Sequence, residues 1–250
     1  MKATINRIYR KIFHRGGHGV HSPFVFGLIT NVIEDKTPYG CYESLSAVRT
    51  QLNNDRNKIT SYYNVCDILN LYCFSEREDQ LLFRLANHFR PQTIYVRGGD
   101  LGLAPLYLTA GSEHPRCVVI EPDGAMSFFA GEILKKYSSA SVERYMTFSE
   151  LPEAGVADMI ILGNTVGDYS HNDKHKRETF SIETFMELLQ YVSDESMMVI
   201  SGINASGKNI RAWKQICAAP EVTVTLDLYS LGIVFFNSKL HRRTYKSFVL

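Results

Sequence analysis

The hydrophobic pattern of the chain changes near residue 90. Before this point, apolar residues recur at the three- and four-residue spacing of amphipathic helices. Ser22-Pro23 is typical of a helix start, because serine caps the first turn and proline suits its first position. The pattern therefore predicts helices over Ile5–Phe13, Phe24–Ile33, Leu45–Leu52 and Glu76–Phe89.

From Pro91 onward, short apolar runs alternate with helical stretches. The runs predict strands buried on both faces of a parallel sheet, over Thr93–Val96, Cys117–Ile120, Met159–Leu162 and Met197–Ile200. The helices expected between them cover residues 104–110, 125–136, 181–192 and 208–217. This alternation predicts right-handed βαβ units.

The end of the chain breaks this alternation. Val222–Leu226 and Gly232–Phe236 are both rich in β-forming residues, and the five residues between them are too few for a helix. We therefore expect an antiparallel hairpin there. The expected organisation is a helical extension over residues 1–90, packed on an α/β domain over residues 91–250.

A glycine-rich turn follows the first predicted strand. Gly98, Gly99 and Gly102 would let the backbone approach a ligand, and the next helix would offer free N–H groups. Glu121 ends the following strand, 23 positions after Gly98, where a carboxylate can accept hydrogen bonds from ribose hydroxyls. The alternative is a structural turn with a surface glutamate. The glycines lack the spacing that is typical of nicotinamide dinucleotide sites.

Several segments together resemble one enzyme family. The most specific is His18-Gly19-Val20-His21-Ser22-Pro23-Phe24-Val25-Phe26. The others are Leu81-Leu82-Phe83-Arg84-Leu85, Leu101-Gly102, Ile120-Glu121, Gly163-Asn164, Ala212-Trp213, Asp227-Leu228 and Gly232-Ile233-Val234-Phe235. With them the chain resembles the class I S-adenosylmethionine-dependent methyltransferases, and more closely a Bacteroidetes-type O-methyltransferase-like group.

The resemblance implies a fold, a cofactor and a set of binding residues. The fold is a Rossmann-like, seven-stranded and mostly parallel sheet that ends in an antiparallel hairpin. The cofactor is S-adenosylmethionine, and the methyl acceptor is a small molecule that reacts at oxygen. The implied cofactor-binding residues are Gly98, Gly99, Asp100, Gly102, Glu121 and Asn164.

Two departures from the family pattern bear on activity. The first strand of such proteins usually ends in an acidic residue, and this chain has Val96-Arg97 there. Metal-dependent members place acids after two later strands, where this chain has Leu162 and Ser201-Gly202. Because Mg²⁺ needs oxygen ligands, we expect no metal and a transfer that depends on alignment of the methyl donor. The alternative is a member that has lost catalysis and serves as a binding module.

Two groups of histidines are further candidates for chemistry. His21 is the candidate general base, and with His18 it could face a substrate; the alternative is a purely structural helix start. Asp168, His171, Asp173 and His175 form a polar loop that could contact substrate or a metal, although a solvated loop is the simpler interpretation.

Charge and composition narrow the choice of partners. The net charge is +1, but the first 33 residues hold five Lys and Arg and no acid. A basic amphipathic helix there could dock on RNA or a membrane surface, yet no aromatic platform accompanies it, so nucleic acid is the less favoured partner. The five cysteines are scattered, and no signal peptide or apolar run of membrane length is present. We therefore expect a cytoplasmic protein.

Overall fold

The structure is a computed structural model, and it describes residues 19–54, 74–98, 100–152, 155–163 and 180–247. For Asp100 it describes the backbone alone. The predicted helix over Ile5–Phe13 lies outside the described residues, as do His18 and the polar loop from Asp168 to His175.

From residue 93 to residue 218, strands and α-helices alternate, except that a 3-10 turn, Phe148–Glu150, lies between the third strand and the fourth. The helices are α1 (Pro23–Leu28), α2 (Cys41–Asn54), α3 (Glu76–Phe89), α4 (Leu103–Gly111), α5 (Gly124–Tyr137), α6 (Ile182–Leu188) and α7 (Gly207–Ala218). The strands are β1 (Thr93–Arg97), β2 (Arg116–Ile120), β3 (Val142–Tyr145), β4 (Met159–Leu162), β5 (Met197–Ser201), β6 (Val224–Asp227), β7 (Leu231–Phe235) and β8 (Arg243–Lys246). A π-helical turn, Ile29–Ile33, continues α1.

The described strands form one sheet in the order β3-β2-β1-β4-β5-β7-β6-β8. β7 runs antiparallel to β5 and β6, and the other pairs are parallel. This confirms the mostly parallel α/β sheet and its closing hairpin. β8 is an addition to the seven expected strands, and it pairs with β6 at the sheet edge.

Two hydrophobic layers cover the two faces of the sheet. One contains Val25 and Leu28 of α1, Leu81 and Leu85 of α3, and alternate residues of the strands. The other contains Phe185 of α6 and Trp213 of α7. A Cβ at Gly232 would lie 2.5 Å from the Trp213 ring, so this glycine makes room for the indole on β7. Trp213 is a core residue and is 5% exposed.

The two N-terminal segments of the resemblance meet in this core. Ser22 caps α1 by accepting a hydrogen bond from the Val25 backbone N–H at 3.4 Å, as its helix-start motif predicts. The buried Arg84 donates from Nε to the Val32 carbonyl at 2.7 Å. Carbonyl groups at the end of a helical turn have no N–H donor within the helix, and Arg84 supplies a donor for one of them. These motifs fasten the N-terminal helices to the sheet.

Candidate functional site

The glycine turn and the predicted acid lie side by side at the carboxyl end of the parallel strands. Arg97 pairs with Ile120 across the sheet, so the next residues, Gly98 and Glu121, are neighbours. The Gly98 backbone N–H donates to the Ile120 carbonyl at 3.1 Å. In open α/β sheets, ligands bind in the crevice at this end.

Left-handed backbone shapes the turn. Gly98 has φ +83° and Gly102 has φ +89°. These backbone angles are strained for a residue that has a side chain, whereas glycine adopts them readily. Leu101 adopts φ +51° despite its side chain, which is 1% exposed and packs in the core. A Cβ on Gly102 would lie 3.1 Å from the Ala130 carbonyl of α5. The turn therefore packs against α5 while it leads into α4.

Two of the predicted turn residues cannot be placed in full. Gly99 lies outside the described residues, and Asp100 lies in a 3-10 turn, Asp100–Gly102, with only its backbone described. Asn164 also lies outside the described residues. Its neighbour Gly163 ends the described part of that segment.

Gly163 brings β4 unusually close to the turn. Its N–H donates to the Arg97 carbonyl at 2.8 Å, which extends the ladder between β1 and β4. A Cβ on Gly163 would lie 2.7 Å from the Gly98 carbonyl oxygen, a distance that only backbone movement could relieve. Gly163 belongs to the Gly163-Asn164 segment of the resemblance, and its close approach to Gly98 explains why a residue without a side chain stands there.

The Glu121 carboxylate is held inward at the end of β2. The residue is 2% exposed, and its Oε1 accepts a hydrogen bond from the Asp123 N–H at 3.1 Å. Asp123 in turn caps α5 by accepting from Ala125 and Met126 at 3.0 and 2.9 Å. A buried carboxylate is costly unless polar groups surround it. Glu121 is therefore a fixed acceptor next to the glycine turn.

Arg97 brings positive charge to the same place. Burial lowers the pKa of its guanidinium, whereas the negative charges of Glu187 and Glu121 raise it. Glu187 belongs to α6, so that helix contributes to the electrostatics of the crevice. No sequence motif surrounds Glu187, because its charge acts on Arg97 only through the packing of α6 on the sheet.

The ends of β4 and β5 are occupied by a buried side chain and by hydrogen bonds to the backbone of Gly202. β4 ends at the fully buried Leu162, and after β5 the Gly202 N–H donates to the Ser230 carbonyl at 2.7 Å. The Gly202 carbonyl accepts from the Asn209 side chain at 2.8 Å. Across the described ranges, no three His, Cys, Asp or Glu side chains are grouped as a metal site requires. No described helix is long and apolar enough to cross a membrane.

His21 lies at the other end of the sheet. It is exposed and lines a cavity with Val224, which begins β6. Val224 pairs with Phe235, and Phe235 pairs with Met197 at the start of β5. These positions mark the amino end of the parallel strands. The structure thus brings Gly98, Gly102 and Glu121 together and leaves His21 apart from them.

Comparison with known proteins gives matches to solved structures only. No family model and no curated protein matches the chain. A methyltransferase from Podospora anserina, bound to S-adenosylhomocysteine (SAH), is 12% identical with a TM-score of 0.54, over 81% of this chain and 98% of that one. An O-methyltransferase from Bacillus cereus, in complex with SAH, is 16% identical with a TM-score of 0.54, over 85% and 97%.

A third match carries the cofactor itself. The O-methyltransferase of tomaymycin synthesis from Streptomyces achromogenes, in complex with S-adenosylmethionine (SAM), is 14% identical with a TM-score of 0.54. The match covers 86% of this chain and 95% of that one. At these identities the comparisons show the fold, which is that of the class I methyltransferases. The expected fold is confirmed, and Gly98 and Glu121 lie at the carboxyl end of its parallel strands.

Proposed function

We propose that the chain is a SAM-dependent methyltransferase that acts, without a metal, on an oxygen atom of a small molecule. The observation that carries the proposal is the left-handed turn at Gly98 beside the buried carboxylate of Glu121. The similarity to O-methyltransferases that were crystallised with SAM and SAH supports the same cofactor and acceptor atom. We also propose a cytoplasmic protein, with residues 1–90 as its helical extension.

The adenosine half of the cofactor fits the residues at this end. Glu121 offers a carboxylate to the two ribose hydroxyls, and its orientation is already fixed by the Asp123 N–H. Gly98 and Gly102 keep side chains away from the turn, so that backbone N–H groups can approach the ligand. Gly99, Asp100 and Asn164 complete the proposed cofactor-binding set by their sequence positions.

The methionine half meets a different charge from that in most class I methyltransferases. Their acid at the end of the first strand favours the ammonium group, whereas this chain has the half-buried Arg97 there. A guanidinium favours a carboxylate instead, through two parallel hydrogen bonds. We therefore assign to Arg97 the carboxylate of the methionine moiety.

Bound SAM supplies an electrophilic methyl group for direct transfer to the acceptor oxygen. The residues of the chain have to hold the methyl donor and the acceptor in line. Alignment alone can lower the activation barrier by up to roughly 7–11 kcal/mol. Gly163 helps by fixing the distance between the ends of β1 and β4. The negative charge of Glu187 acts on Arg97 and would limit the net positive charge that Arg97 brings to a bound cofactor.

One observation favours a second candidate function. The negative charge of Glu121 acts on Arg97, so the two side chains can satisfy each other in place of a cofactor. A crevice closed by such a pair would suit a binding module that keeps the fold without catalysis. In that case removal of the Arg97 charge would free Glu121 and improve adenosine binding.

The test is a transfer assay with radiolabelled SAM and a panel of phenols, catechols and hydroxy acids, in the presence and absence of EDTA. The proposal expects a labelled product and stoichiometric SAH with at least one acceptor, at a rate that EDTA does not change. Binding of SAH without transfer to any acceptor would favour the binding module. A transfer that EDTA abolishes would overturn the metal-independent mechanism.

A further inference from the structure

The two ends of the chain carry a concentration of positive charge. Residues 1–33 and 228–250 hold nine of the 27 Lys and Arg and none of the 26 acids. In the described part, the structure brings the C-terminal cations to the helix start at His21. This meeting happens at the amino end of the sheet, away from the glycine turn.

A cavity of about 560 Å³ forms where these segments meet. Phe24, Leu240 and Tyr245 supply apolar and aromatic surface to it. Its basic residues are His21, Lys239, His241, Arg242 and Arg243. Among the described residues that line it there is no Asp or Glu. The volume is within the range of small-molecule sites, roughly 300–1,000 Å³.

Contacts other than ion pairs hold the two arginines in place. Arg242 donates from Nη2 to the Ala219 and Cys217 carbonyls at 2.8 and 3.2 Å, at the end of α7. The Arg243 guanidinium lies 5.4 Å from the centre of the Tyr245 ring. An arginine has five N–H donors, so these contacts leave most of the donors available. Among the described residues, no carboxylate forms an ion pair with either arginine.

In a neighbouring cavity, acidic side chains accept hydrogen bonds from the protein itself. It shares Phe24 and Leu240 with the basic cavity, but Asp158 and Asp194 line it. Asp158 accepts from the backbone N–H groups of Gln92 and Thr93 at 2.7 and 2.9 Å, and Asp194 accepts from the Ser238 hydroxyl. Two of the three acids that line that cavity are thus matched by donors of the protein, whereas among the described residues no acid forms an ion pair with the cations of the basic cavity.

We propose that the basic cavity binds a small phosphorylated ligand with an aromatic group, of the nucleotide class. Phosphate oxygens match the guanidinium of Arg243 and the ammonium group of Lys239 in charge. Phe24 and Tyr245 offer apolar surface to an aromatic base beside the phosphate. The cavity is open to solvent on the side of its exposed basic residues, and it lies at the opposite end of the sheet from Glu121, so this is a second site.

The experiment is calorimetric titration of the full chain with pyrophosphate and with uridine diphosphate. Uridine diphosphate carries the ribose that Glu121 is proposed to hold, so the Glu121→Gln variant serves to separate binding at the cofactor crevice from binding at the basic cavity. We expect both probes to bind with a Kd below about 1 mM, and the nucleotide to bind more tightly. Arg243→Gln and Lys239→Gln should each weaken binding by roughly tenfold, since each removes a charge-assisted contact.

Lys135→Gln is the matched control, because it removes an exposed charge on α5, outside the cavity. It should leave the affinity unchanged, as should Glu121→Gln. Equal affinities for Arg243→Gln and the control, or no binding of either probe at millimolar concentration, would overturn the proposal. Tighter binding of a single-stranded oligonucleotide that covers several nucleotides, with a steep dependence on salt, would also overturn it in favour of a nucleic-acid surface.

Discussion

The two ends of the sheet are built in different ways. At the carboxyl end, Gly98, Gly102 and Gly163 bring backbone close to backbone, and one buried acid, Glu121, faces the turn. At the amino end, side chains from segments far apart in sequence line two cavities of opposite charge. A site made of backbone depends on small residues at fixed positions, and a site made of side chains depends on how distant segments pack.

This difference suggests that a substitution at one end should leave the other end unaffected. Effects of distant, independent sites add, whereas those of residues in contact do not. Ligand binding at the carboxyl end and the free energy of unfolding therefore serve as separate readouts.

The largest effect is expected for Gly163→Ala. The new Cβ would lie 2.7 Å from the Gly98 carbonyl, so β1 and β4 would have to move apart. We expect the free energy of unfolding to fall by about 1–3 kcal/mol, measured by urea denaturation, together with weaker binding of SAH. Gly155→Ala is the control, since nothing lies within 4 Å of its Cβ position. A Gly163→Ala variant as stable as this control would contradict the close approach.

Arg97→Ala is expected to act on the ligand more than on the fold. Loss of the guanidinium should weaken SAH binding by roughly tenfold, because a charge-assisted contact to the carboxylate is lost. Adenosine, which has no carboxylate, should bind the variant as well as it binds the wild type. If adenosine instead binds the variant more tightly, Arg97 neutralises Glu121, and the binding-module alternative gains support.

At the amino end, Asp158→Ala should change stability without changing the crevice. The Asp158 carboxylate joins the start of β1 to β4 by accepting from Gln92 and Thr93. Its loss should lower the free energy of unfolding by about 1 kcal/mol, because water can reach the exposed Gln92 N–H and replace part of the interaction. Calorimetry should give an unchanged SAH affinity, and a large loss of affinity would show that the two ends are coupled.

The smallest effect is expected for His21→Ala. His21 is exposed at the amino end, so SAH affinity and transfer rate should stay within about twofold of the wild type. The matched comparison is Glu121→Ala, which changes the crevice itself. A loss of turnover in His21→Ala with unchanged stability would show that His21 takes part in the reaction.

The sequence predicted the buried elements well, because burial imposes a strong pattern. Helix Glu76–Phe89 and strand Thr93–Arg97 lie where amphipathic spacing and an apolar run placed them, within one residue. β3 was missed because none of the residues Val142–Tyr145 is buried, and β8 was missed because Arg243–Lys246 is mostly polar and exposed. β8 forms a strand through backbone pairing with β6 and a 2.8 Å hydrogen bond from Thr225 to Thr244, neither of which leaves an apolar signal.

The same reasoning explains which parts of the candidate site the sequence indicated. Gly98, Gly102 and Glu121 stand at strand ends, where position along the chain fixes position in space. The charge of Glu187 acts on Arg97 only because α6 packs on the sheet. The basic cavity is lined by His21 and by residues that follow it by more than 200 positions. Such contacts depend on tertiary packing, and a single sequence carries no local pattern for them.

The central claim is that Glu121 and the Gly98 turn form a working cofactor site. The most direct test is calorimetric titration of SAH into the wild type and into Glu121→Gln, which keeps the size of the side chain and removes its charge. The account predicts micromolar binding to the wild type and at least roughly tenfold weaker binding to the variant, since the carboxylate would hold both ribose hydroxyls. Equal affinity of the two proteins, or no binding to the wild type at millimolar SAH, would contradict it.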